Sequence, residues 1–165
     1  MKIRPGTSQD LPFLEQMLFE AIFWNPSTVR PDMNDFFNET KLNRFLADWG
    51  RPGDKSFVAE KGGMPVGAAW YRLFKADEGS CGFVDENTPE IGMAILRQYR
   101  SQGTGRKLLR ALILEAQQEG IESLSLSVDP ANFAANLYKS EGFTKVGESG
   151  TSWTLQRKLE KLPTK

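Results

Sequence analysis

Histidine is absent from this 165-residue sequence, and cysteine occurs once, as Cys81. Without histidine there is no His-assisted serine or cysteine nucleophile, and a transition-metal site has almost no ligands to draw on. No metal is expected. Any acid or base must be a carboxylate, a tyrosine, a lysine, the lone cysteine, a terminus or water. One cysteine cannot form an intramolecular disulfide, which suits a reducing compartment and makes a cytoplasmic location the expectation. No apolar run is long enough to span a membrane, and "MKIRPGTSQDLPFLEQ" has no apolar stretch followed by a small-residue cleavage site. Neither a membrane association nor a leader is expected. Lys+Arg and Asp+Glu are both 21, so the formal charge is zero, and no broad nucleic-acid-binding face is expected.

What is present describes an ordinary globular chain, 39% hydrophobic and 25% charged. Its length suits a single domain over residues 1–165, burying roughly 70% of its unfolded surface. "KIRP" reads as a strand, with Thr7 and Ser8 as caps for a helix to about Phe23. Asp32 caps a second helix whose apolar set is Phe36, Phe37, Leu42, Phe45, Leu46 and Trp49. "SFVAEKGGMPVGAAWYRLF" reads as a hairpin turning at Gly62-Gly63, and "EIGMAIL" as a further strand. From Gly105 to Glu119, Leu108, Leu109, Leu112, Ile113 and Ala116 fall on one helical face, and Gly120 ends the helix. "SLSLSV" alternates as a half-buried strand does; a short helix over 131–140 and a closing hairpin through Glu148-Ser149-Gly150 follow. The order β-α-α-β-β-β-α-β-α-β-β predicts an α/β or α+β layer of sheet with helices on its faces.

"QYRSQGTGRKLL", Gln98 to Leu109, places two glycines among cations at the start of a helical pattern. Such a turn suits a phosphate, because successive backbone N–H groups converge at a helix N-terminus where the macrodipole favours an anion. Two phosphate-binding patterns fail on Leu108. It stands where a P-loop needs its second glycine and where a dinucleotide fingerprint needs a third small residue. The stretch Arg100-Ser101-Gln102-Gly103-Thr104-Gly105 fits a third pattern, Q/R-x-x-G-x-G/A between strand and helix. By itself that hexapeptide equally describes an ordinary helix-capping loop.

About thirty residues on stands "SVDPANFAANLYKSEGFTKVG". The two blocks, in this order and separation, resemble the GNAT superfamily of N-acetyltransferases over about residues 88–147; "IRPGTSQDL" resembles a common start in that family. Arg97 departs from the proline that many members carry there. The resemblance implies a central mixed, mostly antiparallel sheet of six to seven strands with about four helices on its faces. In that fold the fourth strand bulges and splays from the fifth. It also implies acetyl-CoA as donor. The pyrophosphate would sit on Ser101, Gln102, Gly103, Thr104, Gly105 and Arg106, with Arg100 adding charge. Met93, Ala94 and Ile95 would offer backbone groups to the pantetheine and the acetyl carbonyl. Asn132 would bond the pantetheine arm, or act simply as a helix cap.

Tyr138 matches the family's general acid, protonating the departing CoA thiolate, with packing against the sheet as the plainer alternative. Glu90 is the first candidate for the base that deprotonates the acceptor, with Asp85 and Glu86 as alternatives; Ser127 stands where some members carry a glutamate. The acceptor is a primary amine of a small molecule, peptide or protein. Trp24, Trp70 and Tyr71, with Phe23 and Trp49, are aromatics able to line its site or to fill the core. Direct transfer in a ternary complex is the mechanism implied, and a homodimer is one assembly the family adopts. The rival readings are a non-catalytic acyl-CoA-binding module and, third, a nucleotide-binding protein.

Overall fold

The computed structural model describes residues 1–39 and 43–163. Its strands are β1 (Lys2–Pro5), β2 (Lys55–Lys61), β3 (Met64–Arg72), β4 (Glu90–Ile95), β5 (Ser123–Val128), β6 (Thr144–Ser149) and β7 (Ser152–Lys158). The helices are α1 (Leu11–Ile22), α2 (Met33–Asn38), α3 (Thr104–Gln118) and α4 (Ala134–Ser140). The expected element order is the one found. The strands form one sheet in the order β1-β2-β3-β4-β5-β7-β6, antiparallel throughout except for the central β4–β5 pair.

Two-residue periodicity assigns the faces. In β3, Ala68 and Trp70 enter the core under α1, while Ala69 and Tyr71 enter the core under α3. The predicted stripe of α3 is buried as expected, and each such leucine contributes roughly 1.5–3 kcal/mol of burial. On the other face Phe19, Phe23, Phe36 and Phe37 join α1 to α2 through tilted and edge-to-face ring contacts.

Three expectations need correction. The second helix ends at Asn38, because Glu39 turns to extended backbone, and residues 44–48 fold as turns instead of continuing it. Leu42 lies outside the described residues. Helix α4 starts at Ala134 and not Ala131: Asp129 Oδ1 accepts from Ala131 N–H and Asn132 Oδ1 from Ala134 N–H, so a side-chain-closed turn replaces the first helical turn. Strand β4 runs against β3 from Glu90 to Ile95 with no register shift, so the bulge expected there is missing; irregularities lie at Ala59/Glu60 and Lys145/Gly147.

A buried ion pair holds the 43–54 segment to the sheet. Arg72, at the end of β3, donates from Nε and Nη2 to both oxygens of Asp54 at 2.9 and 2.8 Å, and from Nη1 to the carbonyls of Arg44 and Ala47. Neither side chain is exposed by more than 2%. Asp54 also accepts from the N–H groups of Gly50 and Arg51, so every charge in the knot is met.

Candidate active site

Strands β4 and β5 touch at one register pair only, Glu90 with Ser125, where Ser125 N–H donates to the Pro89 carbonyl at 3.0 Å. Beyond it they part. The alternation of the β3–β4 ladder, fixed by Leu96 N–H donating to Val66, leaves the backbone groups of Met93 and Ile95 facing the opening and turns those of Ala94 toward β3. Of these, the Ile95 carbonyl accepts from Arg100 Nε at 2.9 Å. That bond ties the Arg100 side chain to the strand end.

The glycine turn stands at the open end of this gap. Ser101 and Gly103 have positive φ, 62° and 82°, and a Cβ built on Gly103 would meet nothing within 4 Å. Glycine is therefore demanded by the backbone and leaves free space above it. Lys107 is the first residue of this segment whose N–H is used inside the chain, donating to the Gly103 carbonyl. Among the described residues, no hydrogen bond within the chain uses the N–H groups from Ser101 to Arg106. These donors at a helix start are what an anion requires. The Thr104 side chain is directed inward, its Oγ1 donating to Met1 Sδ at 3.2 Å. Arg106 and Arg110 both pair with Glu141, which leaves only partial positive charge at this corner.

Gly105 joins the two sequence blocks. Its Cβ would stand 3.1 Å from Leu137 Cδ2 and 3.4 Å from Met93 Cε, so turn, strand and α4 meet there. Tyr138 follows Leu137. It is 6% exposed, its ring lies edge-on to Phe143 at 6.0 Å, and burial pushes its phenol well above the ordinary tyrosine range. Asn132 caps Ala134 through its side-chain oxygen.

Glu90 is 3% exposed on the α1 face of β4, at the closed end of the gap. Burial pushes its carboxyl up to about 7, partly offset by Ser80, the Gly82 N–H and the charge of Arg44. The segment 80–82 crosses directly over it: a Cβ on Gly82 would stand 2.8 Å from Glu90 Cδ and 2.7 Å from the Leu126 carbonyl carbon. Ser125 Oγ pins this segment by donating to the Gly82 carbonyl at 2.7 Å, and Thr154 Oγ1 donates to that of Cys81. Nothing in the local sequence singles out Ser80, Gly82 or Arg44; only the chain crossing brings them to Glu90. The alternative carboxylates have structural work: Asp85 accepts from Asn87 N–H and Thr88 Oγ1, and Glu86 from Ala76 N–H.

Of the aromatics, Trp70 and Tyr71 are fully buried on opposite faces, Trp70 against Gly92, Tyr71 donating to Glu119 Oε1 at 2.5 Å. Trp24 is half-buried beyond α1, and Trp49 stacks on the Arg72 guanidinium. Cys81 is exposed.

Known proteins resemble this chain in sequence or in fold. A mycothiol acetyltransferase from Thermobispora bispora is 31% identical over 116 residues, 70% of this chain and 38% of that protein. The chain thus spans under two fifths of the length of that relative. The crystal structure of a ribosomal-protein-alanine N-acetyltransferase from Brucella melitensis superimposes with a TM-score of 0.71 at 25% identity, covering 96% of this chain and all of that one. A PaiA N-acetyltransferase from Thermoplasma acidophilum, in complex with coenzyme A, has the same fold, with a TM-score of 0.68 at 16% identity over 96% of this chain and 99% of that one. The model of the acetyltransferase (GNAT) family matches residues 19–143, and with the parted β4–β5 pair and the glycine turn this assigns the chain to that family.

Proposed function

We propose that this protein transfers an acetyl group from acetyl-CoA directly to a primary amine, in a ternary complex. The observation that carries the reading is the gap between β4 and β5, lined by backbone groups of Met93 and the N–H of Ile95 and closed at its mouth by six N–H donors that no hydrogen bond among the described residues uses. The diphosphate would rest on Ser101–Arg106, and the pantetheine along Met93 and Ile95. In this reading Ala94 contributes its place on the strand, and Asn132 holds the entry to α4.

The acceptor amine must lose a proton before it attacks. A lysine-like amine at pH 7 is neutral in roughly one molecule in 2,500, whereas an α-amine of pKa about 8 is neutral in roughly one in ten. Glu90, raised to about 7, is a base well matched to the second. We therefore favour an α-amine, as on an amino acid or peptide N-terminus; the Brucella relative named for ribosomal-protein alanine supports the same class. Attack on the thioester carbonyl builds an oxyanion, and the backbone N–H of Ile95 faces the gap to receive it.

Tyr138 meets the leaving thiolate as a donor, since burial keeps its phenol protonated across the working range. Full proton transfer from a raised phenol to a thiolate of ordinary pKa about 8.5 runs uphill. Hydrogen-bond stabilisation of the leaving group is then its larger contribution. A cytoplasmic setting belongs to the same proposal and rests on the lone Cys81.

Calorimetric titration with acetyl-CoA, alongside ATP and NAD, tests the cofactor. CoA release over an amine panel, including alanine-initiated peptides and spermidine, tests transfer. Tight acetyl-CoA binding with no turnover of any amine would reduce the protein to an acyl-CoA-binding module.

A further inference from the structure

Where β1 ends, the two layers of the core meet around a cavity of about 370 Å³, a size within the range of small-molecule sites. Leu11 and Trp49 reach it from the α1 core, and Phe57 from the α3 core. Among the described residues, none that lines it belongs to β4, β5, α4 or the glycine turn. Strand β3 separates β2 from β4, so the cavity stands about 10 Å or more from the β4–β5 gap.

The walls are fixed by bonds among themselves and to the sheet. Gly6 N–H donates to the Ser56 carbonyl at 2.9 Å, and a Cβ at position 6 would run into Ser56 Oγ. Thr7 N–H donates to Asp10 Oδ2 at 2.7 Å. Asp54 accepts from Gly50 and Arg51 N–H as well as from Arg72, and Trp49 stacks on that guanidinium at 5.3 Å. Walls so held keep their shape before a ligand arrives, which lowers the cost of binding.

The charges facing the cavity narrow the ligand. Asp54 is spent on Arg72, which leaves Lys55 and Glu115. Lys55 Nζ and Glu115 Oε1 are 3.5 Å apart, with 40% and 27% of their side chains exposed. That is longer than the roughly 2.7–2.9 Å of a charge-assisted hydrogen bond, and a part-exposed pair of this kind contributes little, so both groups can turn to a ligand at small cost. Glu119, 4.0 Å from Lys55, already accepts from the Tyr71 hydroxyl. A simple anion would be repelled by Glu115, and a simple cation by Lys55. A molecule bearing both charges on adjacent groups escapes both. In an α-amino acid the ammonium nitrogen and the carboxylate carbon lie about 2.5 Å apart, a spacing suited to a carboxylate and an ammonium side by side. Leu11, Trp49 and Phe57 offer an apolar and aromatic wall to its side chain.

We infer that this cavity binds an α-amino acid with an apolar side chain, its ammonium on Glu115, its carboxylate on Lys55 and its side chain against Trp49. The site is separate from the acceptor position of the proposed acetyl transfer and does not rest on that reading.

Nitrogen-15 NMR titration of the full chain without acetyl-CoA tests it, with L-phenylalanine and L-leucine as probes. Saturable shifts are expected at the amides of Gly6, Ser8, Lys55 and Ser56, with a Kd of about 1 mM or tighter. 3-Phenylpropionate lacks the ammonium and phenethylamine lacks the carboxylate, and each is expected to bind at least about tenfold more weakly. Glu115→Gln and Lys55→Met should each weaken the amino acids by a similar factor, about tenfold. Both side chains are part-exposed, so the fold should tolerate either change. No saturable shift with either probe up to about 20 mM, or unchanged affinity in both variants, overturns the site. Shifts confined to β4 and β5 would put the amino acid at the acceptor position and overturn it as well. Failure of every amine to accept an acetyl group would sink the proposed transfer and leave the result of this titration standing.

Discussion

Gly105 of α3 and Leu137 of α4 pack so closely that a single added methyl group would stand 3.1 Å from the leucine. This contact, with Met93 beside it, sets the glycine turn against the parted strand and the helix that carries Tyr138. It makes the position sensitive to size, while Gly103 is sensitive to backbone conformation and to charge.

Gly105→Ala should therefore keep acetyl-CoA affinity within about threefold, since the leucine need yield only a few tenths of an ångström. Gly105→Val should weaken it at least about tenfold, or roughly 1.4 kcal/mol. Gly103→Glu, which places an anion in the open space above the turn and strains a φ of 82°, should weaken it more. Isothermal titration calorimetry measures all three, and unchanged affinity in Gly103→Glu would remove the diphosphate from this turn.

Tyr138→Phe removes a hydroxyl and keeps the ring against Phe143. A fall in kcat of about 10²-fold with acetyl-CoA affinity unchanged is expected. A loss of affinity with kcat intact would mark Tyr138 as packing alone.

The Asp54–Arg72 pair is almost fully buried, so cutting it leaves an unpaired charge in the core. Asp54→Ala should destabilise the fold by about 3–5 kcal/mol, nearly independent of salt. Urea unfolding at low and high ionic strength checks both parts.

Glu90 links stability to pH with the opposite sign from a surface carboxylate. Its folded value of about 7 lies above the ordinary 4.5, so the folded state holds the proton more tightly than the unfolded chain. Stability is then greatest below about pH 4.5 in this respect, and falls by a few kcal/mol as pH rises through 7. In Glu90→Gln that decline should be absent, and unfolding curves at pH 5 and pH 8 would show it.

Asp10 works the other way. The Arg4 guanidinium holds its carboxyl down to about 2, below the ordinary 3.8. The resulting contribution, on the order of 2 kcal/mol, is complete above about pH 4 and is lost as pH falls through 2. Asp10→Asn should remove this acid-limb dependence and leave the fold weaker at pH 7.

The sequence by itself determined the element order, the face of α3 that is buried and the glycine turn. Each of these is written in neighbouring residues: Leu108, Leu109, Leu112, Ile113 and Ala116 recur at helical spacing, and Gly103 answers a local backbone need. Only the tertiary structure decided where α2 stops, why Trp70 and Tyr71 are core, and how Glu90 is enclosed. Those depend on contacts between distant stretches. Arg72 reaches Asp54 and the carbonyls of Arg44 and Ala47, so Phe45 and Leu46 are held in turns over 44–48 and not in a helix. Gly82 meets Glu90 because Ser125 and Thr154 anchor the crossing segment on two other strands. A carboxyl's proton affinity follows from what covers it, and what covers this one is set by the packing of the folded chain.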